Sequence, residues 1–206
     1  MAVMPMFPLG TVLLPGGILP LHVFEPRYRQ MIIDCLQEDG HPEFGQALIT
    51  HGADAGGGDE RAMVGTMAQM IQVEALDGER YALIAIGTRR IRINTWLPDA
   101  PYPIADVDDW PDEKPDPGLA IAVEATHARV QAVLKMAVEL GDVSAETVES
   151  EISDDPSFAT YHLASLAPIG PADRYRLLVA PGPAARLNVL DDVLDDVEAM
   201  LKFRLI

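Results

Sequence analysis

The chain has 206 residues, 49% of them hydrophobic, with 15 basic against 32 acidic side chains and a net charge of −17. That charge repels phosphate backbones and anionic lipid, which argues against nucleic acid and membrane surfaces as partners, while the apolar content suffices for a real core. The single Cys35 excludes an intramolecular disulfide, and no stretch approaches the roughly 20 unbroken apolar residues of a membrane-spanning helix.

Residues 6–29, MFPLGTVLLPGGILPLHVFEPRYR, carry no formal charge from Phe7 to Phe24, and then Glu25, Arg27 and Arg29 follow closely. Pro8, Pro15 and Pro20 interrupt the run, so it cannot be one helix. It predicts short strands around a turn at Pro15–Gly17, with Leu21, Val23 and Phe24 delivered into a core. The run lacks the basic start and unbroken apolar centre of an export signal, so a cytoplasmic location is expected. Pro26 suits a first helical position. Tyr28, Met31, Ile32, Cys35 and Leu36 then fall at i, i+3, i+4, i+7 and i+8, one helix face that Gly40 can end.

Phe44–Thr50 predicts a strand and Ala53–Glu60 a flexible loop, with Met63–Val73 and Tyr81–Ile86 as hairpin arms around Asp77-Gly78. Ile91 and Ile93, alternating with Arg90 and Arg92, mark the next strand. The proline- and acid-rich Leu97–Gly118 segment predicts an edge strand at Ile104–Val107 and a linker. Beyond it the period becomes helical. One stripe runs from Leu119 to Leu140 and stops at Gly141; Asp155-Pro156 and Gly170-Pro171 open two shorter helices. A last helix aligns Leu187, Leu190, Leu194, Val197 and Leu201. The elements predict an α+β protein, with a β-barrel-type subdomain over residues 1–115, carrying one inserted helix, and a helical bundle over 116–206.

The first block closely resembles the substrate-binding domain at the N-terminus of Lon proteases. That family opens with a Pro-Leu-Phe-Pro-type strand, a Pro-Gly turn and a Leu-His-x-Phe-Glu-Pro-Arg-Tyr entry into a helix. The matching positions are Phe7, Pro8 and Leu9, then Pro15 and Gly16, then Leu21, His22, Phe24, Glu25, Pro26, Arg27 and Tyr28. A second matching stretch runs from Val64-Gly65-Thr66 to Ile71, through Asp77-Gly78, to Gly87-Thr88-Arg89-Arg90-Ile91-Arg92-Ile93. The resemblance implies a PUA-like fold for the N-terminal subdomain, strongly to about residue 110 and weakly beyond. Full Lon proteases also carry an ATPase, whose Gly-rich loop ends in Lys-Ser/Thr, and a Ser-Lys peptidase. Here Lys114, Lys135 and Lys202 are the only lysines, and none follows a Gly-rich turn or precedes Ser or Thr. The resemblance therefore implies a non-enzymatic binding protein without cofactors. Its expected partners are unfolded or partly folded polypeptides, recognised through exposed apolar segments in an adaptor or holdase role, with a separate protease as a candidate recipient.

Candidate contact residues are Met4 and Met6, soft side chains suited to varied apolar partners, with Phe24 and Tyr28 in a cleft between the subdomains. Glu25 and Arg27 extend this cluster, and Arg89 and Arg90 offer guanidinium forks for a carboxylate or a peptide C-terminus. Each has a plainer role open to it. The methionines can fill a core, Glu25 can cap the helix while Arg27 pairs locally, and the arginines, Arg92 included, can be solvated or pair with the acidic linker. His22, His41, His51, His127 and His162 share no metal-ligand spacing, and acidic neighbours of Gly56–Gly58 would repel phosphate, so neither metal nor nucleotide is expected. Two other classes stay open: a small-molecule receptor or enzyme reusing the barrel, although no spaced nucleophile, base and orienter is visible, and a fixed subunit of a complex.

Overall fold

The computed structural model, which describes residues 2–37, 41–52 and 58–205, turns the charge-free run into two strands, β1 (Ala2–Leu9) and β2 (Ile18–Val23). Gly16 takes φ 81° in the turn between them, a left-handed conformation that favours glycine. Helix α1 (Pro26–Cys35) buries Tyr28, Met31, Ile32 and Cys35, the face its spacing predicts. Leu36 is its C-cap and lies largely exposed, while Gly40 falls outside the described residues. Phe24 is 63% exposed, contrary to the core position expected for it. Val23 already points inward at the strand's end, and the period of two turns its neighbour out before the helix begins.

Four more strands follow: β3 (Glu43–His51), β4 (Glu60–Leu76), β5 (Arg80–Leu97) and β6 (Ile104–Asp109). Most of the expected Ala53–Glu60 loop lies outside the described residues, and Glu60 already belongs to β4. The order in the sheet is β2-β5-β4-β3-β1-β6, and β6 also pairs with β5. All neighbours are antiparallel except β1 and β3. Two expectations are corrected here. Ile91 and Ile93 lie on the same strand as Tyr81–Ile86, and β6 is no edge, because β1 and the far half of β5 take its two sides.

Two apolar clusters fill this unit, which spans Met1–Pro111. One gathers Phe7, Leu13, Tyr28, Ile32, Phe44 and Leu83; the other gathers Met6, Ala47, Met67, Ile91, Ile93 and Val107. The Thr11–Leu13 segment is tied to the sheet by side chains. Gln46 accepts from the Leu13 amide (2.8 Å) and donates to the Thr11 carbonyl (2.8 Å), while the Thr66 hydroxyl donates to the Leu13 carbonyl (2.6 Å).

The second unit, Asp112–Ile206, is helical among its described residues. It contains α2 (Leu119–Glu139), a 3-10 turn (Ala145–Glu149), α3 (Pro156–Leu166), α4 (Pro171–Leu178) and α5 (Pro183–Arg204). Prolines occupy the first turns of α3, α4 and α5, where a missing N–H costs no intrahelical bond. Asp155 caps α3 by accepting from the Ser157 amide (2.9 Å). Helix α5 packs on α2, α3 and α4 through Leu187, Leu190, Val193, Leu194 and Leu201. The fold is thus mixed α+β, with a six-stranded sheet and five α-helices among the described residues.

Candidate functional site

Strand β2 organises an apolar surface on the first unit. Its alternation buries Leu19 and Val23, half-buries Leu21, and turns Ile18, Pro20 and His22 outward. In the register with β5, Ile18 faces Ile86, Pro20 faces Ile84 and His22 faces Ala82. Leu83 and Ala85 are the buried residues of that segment, so Ile84 and Ile86 lie on its outer side, half-buried. Strand β4 adds Ile71, which occupies an irregularity in the pairing between Met70 and Gln72. Ile18 is 68% exposed and Ile71 57%. Outward positions of a solvated antiparallel sheet are ordinarily polar, so an isoleucine-rich outer face is unusual.

Two shallow grooves flank β2. The outer one, about 160 Å³, is lined by Pro20, Leu21, Gln72, Glu74, Ala82 and Ile84, among others. The inner one, about 180 Å³, is lined by Phe7, Leu9, Leu21, Phe24, Glu25 and Tyr28, among others. The Phe7 and Tyr28 rings within it stack at 4.0 Å and 9°. Burial pushes the Tyr28 hydroxyl up to about 12, against a lowering by the Arg27 charge. The Arg27 guanidinium lies 4.6 Å from the Tyr28 ring centre, and its Nε donates to Glu25 (3.1 Å). Glu25 stands at the N-cap without a capping hydrogen bond from its side chain, so its carboxylate is spent on Arg27.

Phe24, Glu25, Arg27 and Tyr28 therefore come together at the inner groove. The other candidates lie elsewhere in the unit. Met6 is fully buried, and Met4 packs half-buried against the same apolar cluster. Arg89 binds Glu43 in bidentate fashion (2.9 and 3.1 Å) and Asp109 through its Nε (2.8 Å), so its fork is occupied. Arg90 is buried, with its guanidinium 4.3 Å from the Trp110 ring centre, where Arg92 also stacks at 4.5 Å. A further ionic lock joins Arg61 to Asp59 (2.6 Å) and Asp99 (3.1 Å). Burial alone would raise the Asp59 carboxyl, but the Arg61 hydrogen bond and the charges of Arg61 and Arg27 hold it below the usual carboxylate range.

The outer-face residues Ile18, Pro20, Ile71, Ile84 and Ile86 were not among the candidates that sequence reasoning raised. A signal was present. The segment Tyr81–Ile86 is apolar at every position, hence on both faces of a strand, and a hairpin arm buries only one. Among the described residues no three of His, Cys, Asp and Glu are grouped to hold a metal ion, and no helix is long and apolar enough to cross a membrane.

Residues 3–196 match the family model of the ATP-dependent protease La (LON) substrate-binding domain. Lon protease 2 of Myxococcus xanthus is 25% identical over 203 residues, covering 97% of this chain and 24% of its own length. The Lon protease of Anaeromyxobacter dehalogenans (strain 2CP-C) is 23% identical over 204 residues, covering 98% of this chain and again 24% of its own length. The chain spans about a quarter of the length of these relatives. Among solved structures, a Lon N-terminal domain protein from Xanthomonas campestris matches at TM-score 0.67 and 24% identity, over 92% of this chain and 97% of that one. The N-terminal domain of the Mycobacterium avium complex Lon protease matches at TM-score 0.65 and 19% identity, over 95% of this chain and 99% of that one. Both share the fold described above. The chain belongs to the Lon substrate-binding domain family.

Proposed function

We propose that this protein binds exposed apolar segments of unfolded or partly folded polypeptides, performs no chemistry on them, and serves a protease as an adaptor or holdase. The observation that carries this reading is the outer face of Ile18, Pro20, Ile71, Ile84 and Ile86 on three adjacent strands. Such a face is complementary to another apolar surface and to little else. The family supports the substrate class, since the matching model describes a substrate-binding domain. At β2 the grooves support a polypeptide over a small molecule, whereas a groove of about 380 Å³ between α2 and α5 is of small-ligand size. At about 160 and 180 Å³ the β2 grooves fall short of the roughly 300–1,000 Å³ that enclose a small ligand. Affinity in the micromolar range requires only about −8 kcal/mol, within reach of a few buried isoleucines.

The ring of strands β5-β4-β3-β1-β6 is read as a PUA-like barrel, and the helices of Asp112–Ile206 as a bundle. The cytoplasm, where unfolded clients and a protease would meet, is the proposed location. The direct test is fluorescence anisotropy with a labelled client held unfolded by reduction and alkylation, compared with its native form. Binding of the unfolded form alone is expected; equal binding of both forms, or of neither, contradicts the proposal.

A further inference from the structure

Strand β2 differs from every other described strand in its hydrogen bonding. Strands β1, β3, β4, β5 and β6 each pair on both sides, whereas β2 pairs with β5 alone. The Gly87 amide donates to the Gly17 carbonyl (2.9 Å), and the register from Ile18–Ile86 to Val23–Tyr81 is unbroken. Inward bonding therefore alternates through Leu19, Leu21 and Val23, and Ile18, Pro20 and His22 present their backbone groups to the free edge. Pro20 has no N–H and is tolerated in this row, since the inward row needs every donor. The edge offers the amides of Ile18 and His22 and the carbonyls of Ile18, Pro20 and His22. Natural sheet edges are commonly guarded by charge or by Pro; ILPLHV carries no charge, and Pro20 removes one donor while leaving the amides of Ile18 and His22.

An added strand is the object that satisfies a free row of donors and acceptors. Its alternate side chains would fall towards the outer groove and the inner groove, which lie on the two sides of β2 and share Leu21 and His22 in their walls. The outer groove also carries Glu74, on a protein of net charge −17. We infer that the free edge of β2 receives the client as an added strand, and that the preferred segment has about six apolar residues flanked by Lys or Arg. This rests on the proposed polypeptide-binding function and specifies its geometry. The apolar length matches the six residues of β2, and the basic flanks complement the acidic surroundings.

The test uses the wild-type protein, so no variant can confound it by misfolding. Anisotropy is measured with a fluorescein-labelled decapeptide, Lys-Lys-Val-Val-Leu-Val-Leu-Val-Lys-Lys. A second peptide is N-methylated at alternate residues of the apolar six, which leaves one pairing edge intact. A third is N-methylated at all six, which removes both edges and keeps the side chains. The inference predicts affinities within about threefold for the first two and at least a tenfold loss for the third. A fourth peptide with Glu at the flanks is expected to bind at least tenfold more weakly in low salt. Equal binding of the fully methylated peptide overturns strand addition and leaves the apolar-binding function standing. Equal binding of the Glu-flanked peptide overturns the preference for basic flanks. Failure of every peptide, while an unfolded client still binds, likewise overturns strand addition; failure of the client as well overturns the function itself.

Discussion

Arg186 is a fully buried charge in the helical unit. Its side chain donates to Asp112 twice (3.1 and 2.7 Å), to the Thr160 hydroxyl (2.8 Å), to the Tyr161 hydroxyl (2.7 Å) and to the Leu177 carbonyl (3.3 Å). Breaking a buried pair leaves its partner charged and dry, at a cost of about 3–5 kcal/mol. Arg186→Ala is therefore expected to lower the unfolding free energy by about that amount in urea titration. A loss below about 1 kcal/mol would show that Asp112 is readily rehydrated. Sequence reading did not find Arg186. The spacing to Leu190, Val193 and Leu194 (i+4, i+7, i+8) sets Arg186 on the buried face of α5, but partners 25, 26 and 74 positions away leave no local trace of what would satisfy a charge there. A second residue-scale effect concerns pH. Burial pushes the Cys35 thiol up to about 11 from an ordinary 9.0, and the Tyr28 hydroxyl up to about 12 from 10.0. Both groups are held protonated in the fold, so their contribution is whole below the unfolded values and is lost as pH rises through the folded ones. These two groups make stability fall from about pH 9 upward, with Cys35→Ala plus Tyr28→Phe flattening the decline in urea titrations.

At the scale of elements, the strands depend on two close backbone approaches. A Cβ added at Gly65 would strike the Gln46 carbonyl oxygen, and one added at Gly87 would strike the Leu14 carbonyl oxygen. Neither obstacle is a flexible side chain that could swing away. Gly87→Ala should cost about 1–3 kcal/mol through displacement of the Leu13-Leu14 segment, read as a lowered urea midpoint with an unchanged slope. Local pattern made most elements legible. The buried face of α1 follows from the spacing Tyr28, Met31, Ile32, Cys35, and the β4–β5 hairpin from Asp77-Gly78, where Gly78 takes φ 76°. Long-range pairing was not legible. Strand β6 looks like an edge in a proline-rich stretch, and its closure against both β1 and β5 is fixed by contacts distant in sequence. The inner groove was half legible, because Phe24, Glu25, Arg27 and Tyr28 are adjacent in the chain. The outer face was not, because it assembles single residues from three strands.

For the whole molecule, charge and apolar surface act at different ranges. The net charge of −17 favours solubility despite exposed isoleucines and would steer basic segments toward the protein, an effect that added salt screens. In the proposed function the outer face then holds what arrives. Association with a basic-flanked peptide should slow as ionic strength rises from 50 to 500 mM, with dissociation nearly constant, in stopped-flow mixing. A salt-independent association rate would show that the overall field plays no part in capture.

The central claim is that the exposed isoleucines of β2 and β4 hold the client. The most direct measurement is the affinity of an unfolded, alkylated client for the Ile18→Asp, Ile71→Asp double variant, beside Ile121→Asp as a control on the equally exposed surface of α2. Both sites of the double variant are more than half exposed, so melting temperatures should stay close to that of the parent. Loss of at least tenfold in affinity for the double variant alone, or about 1.4 kcal/mol, is the predicted result. Unchanged affinity in a folded double variant would contradict the account.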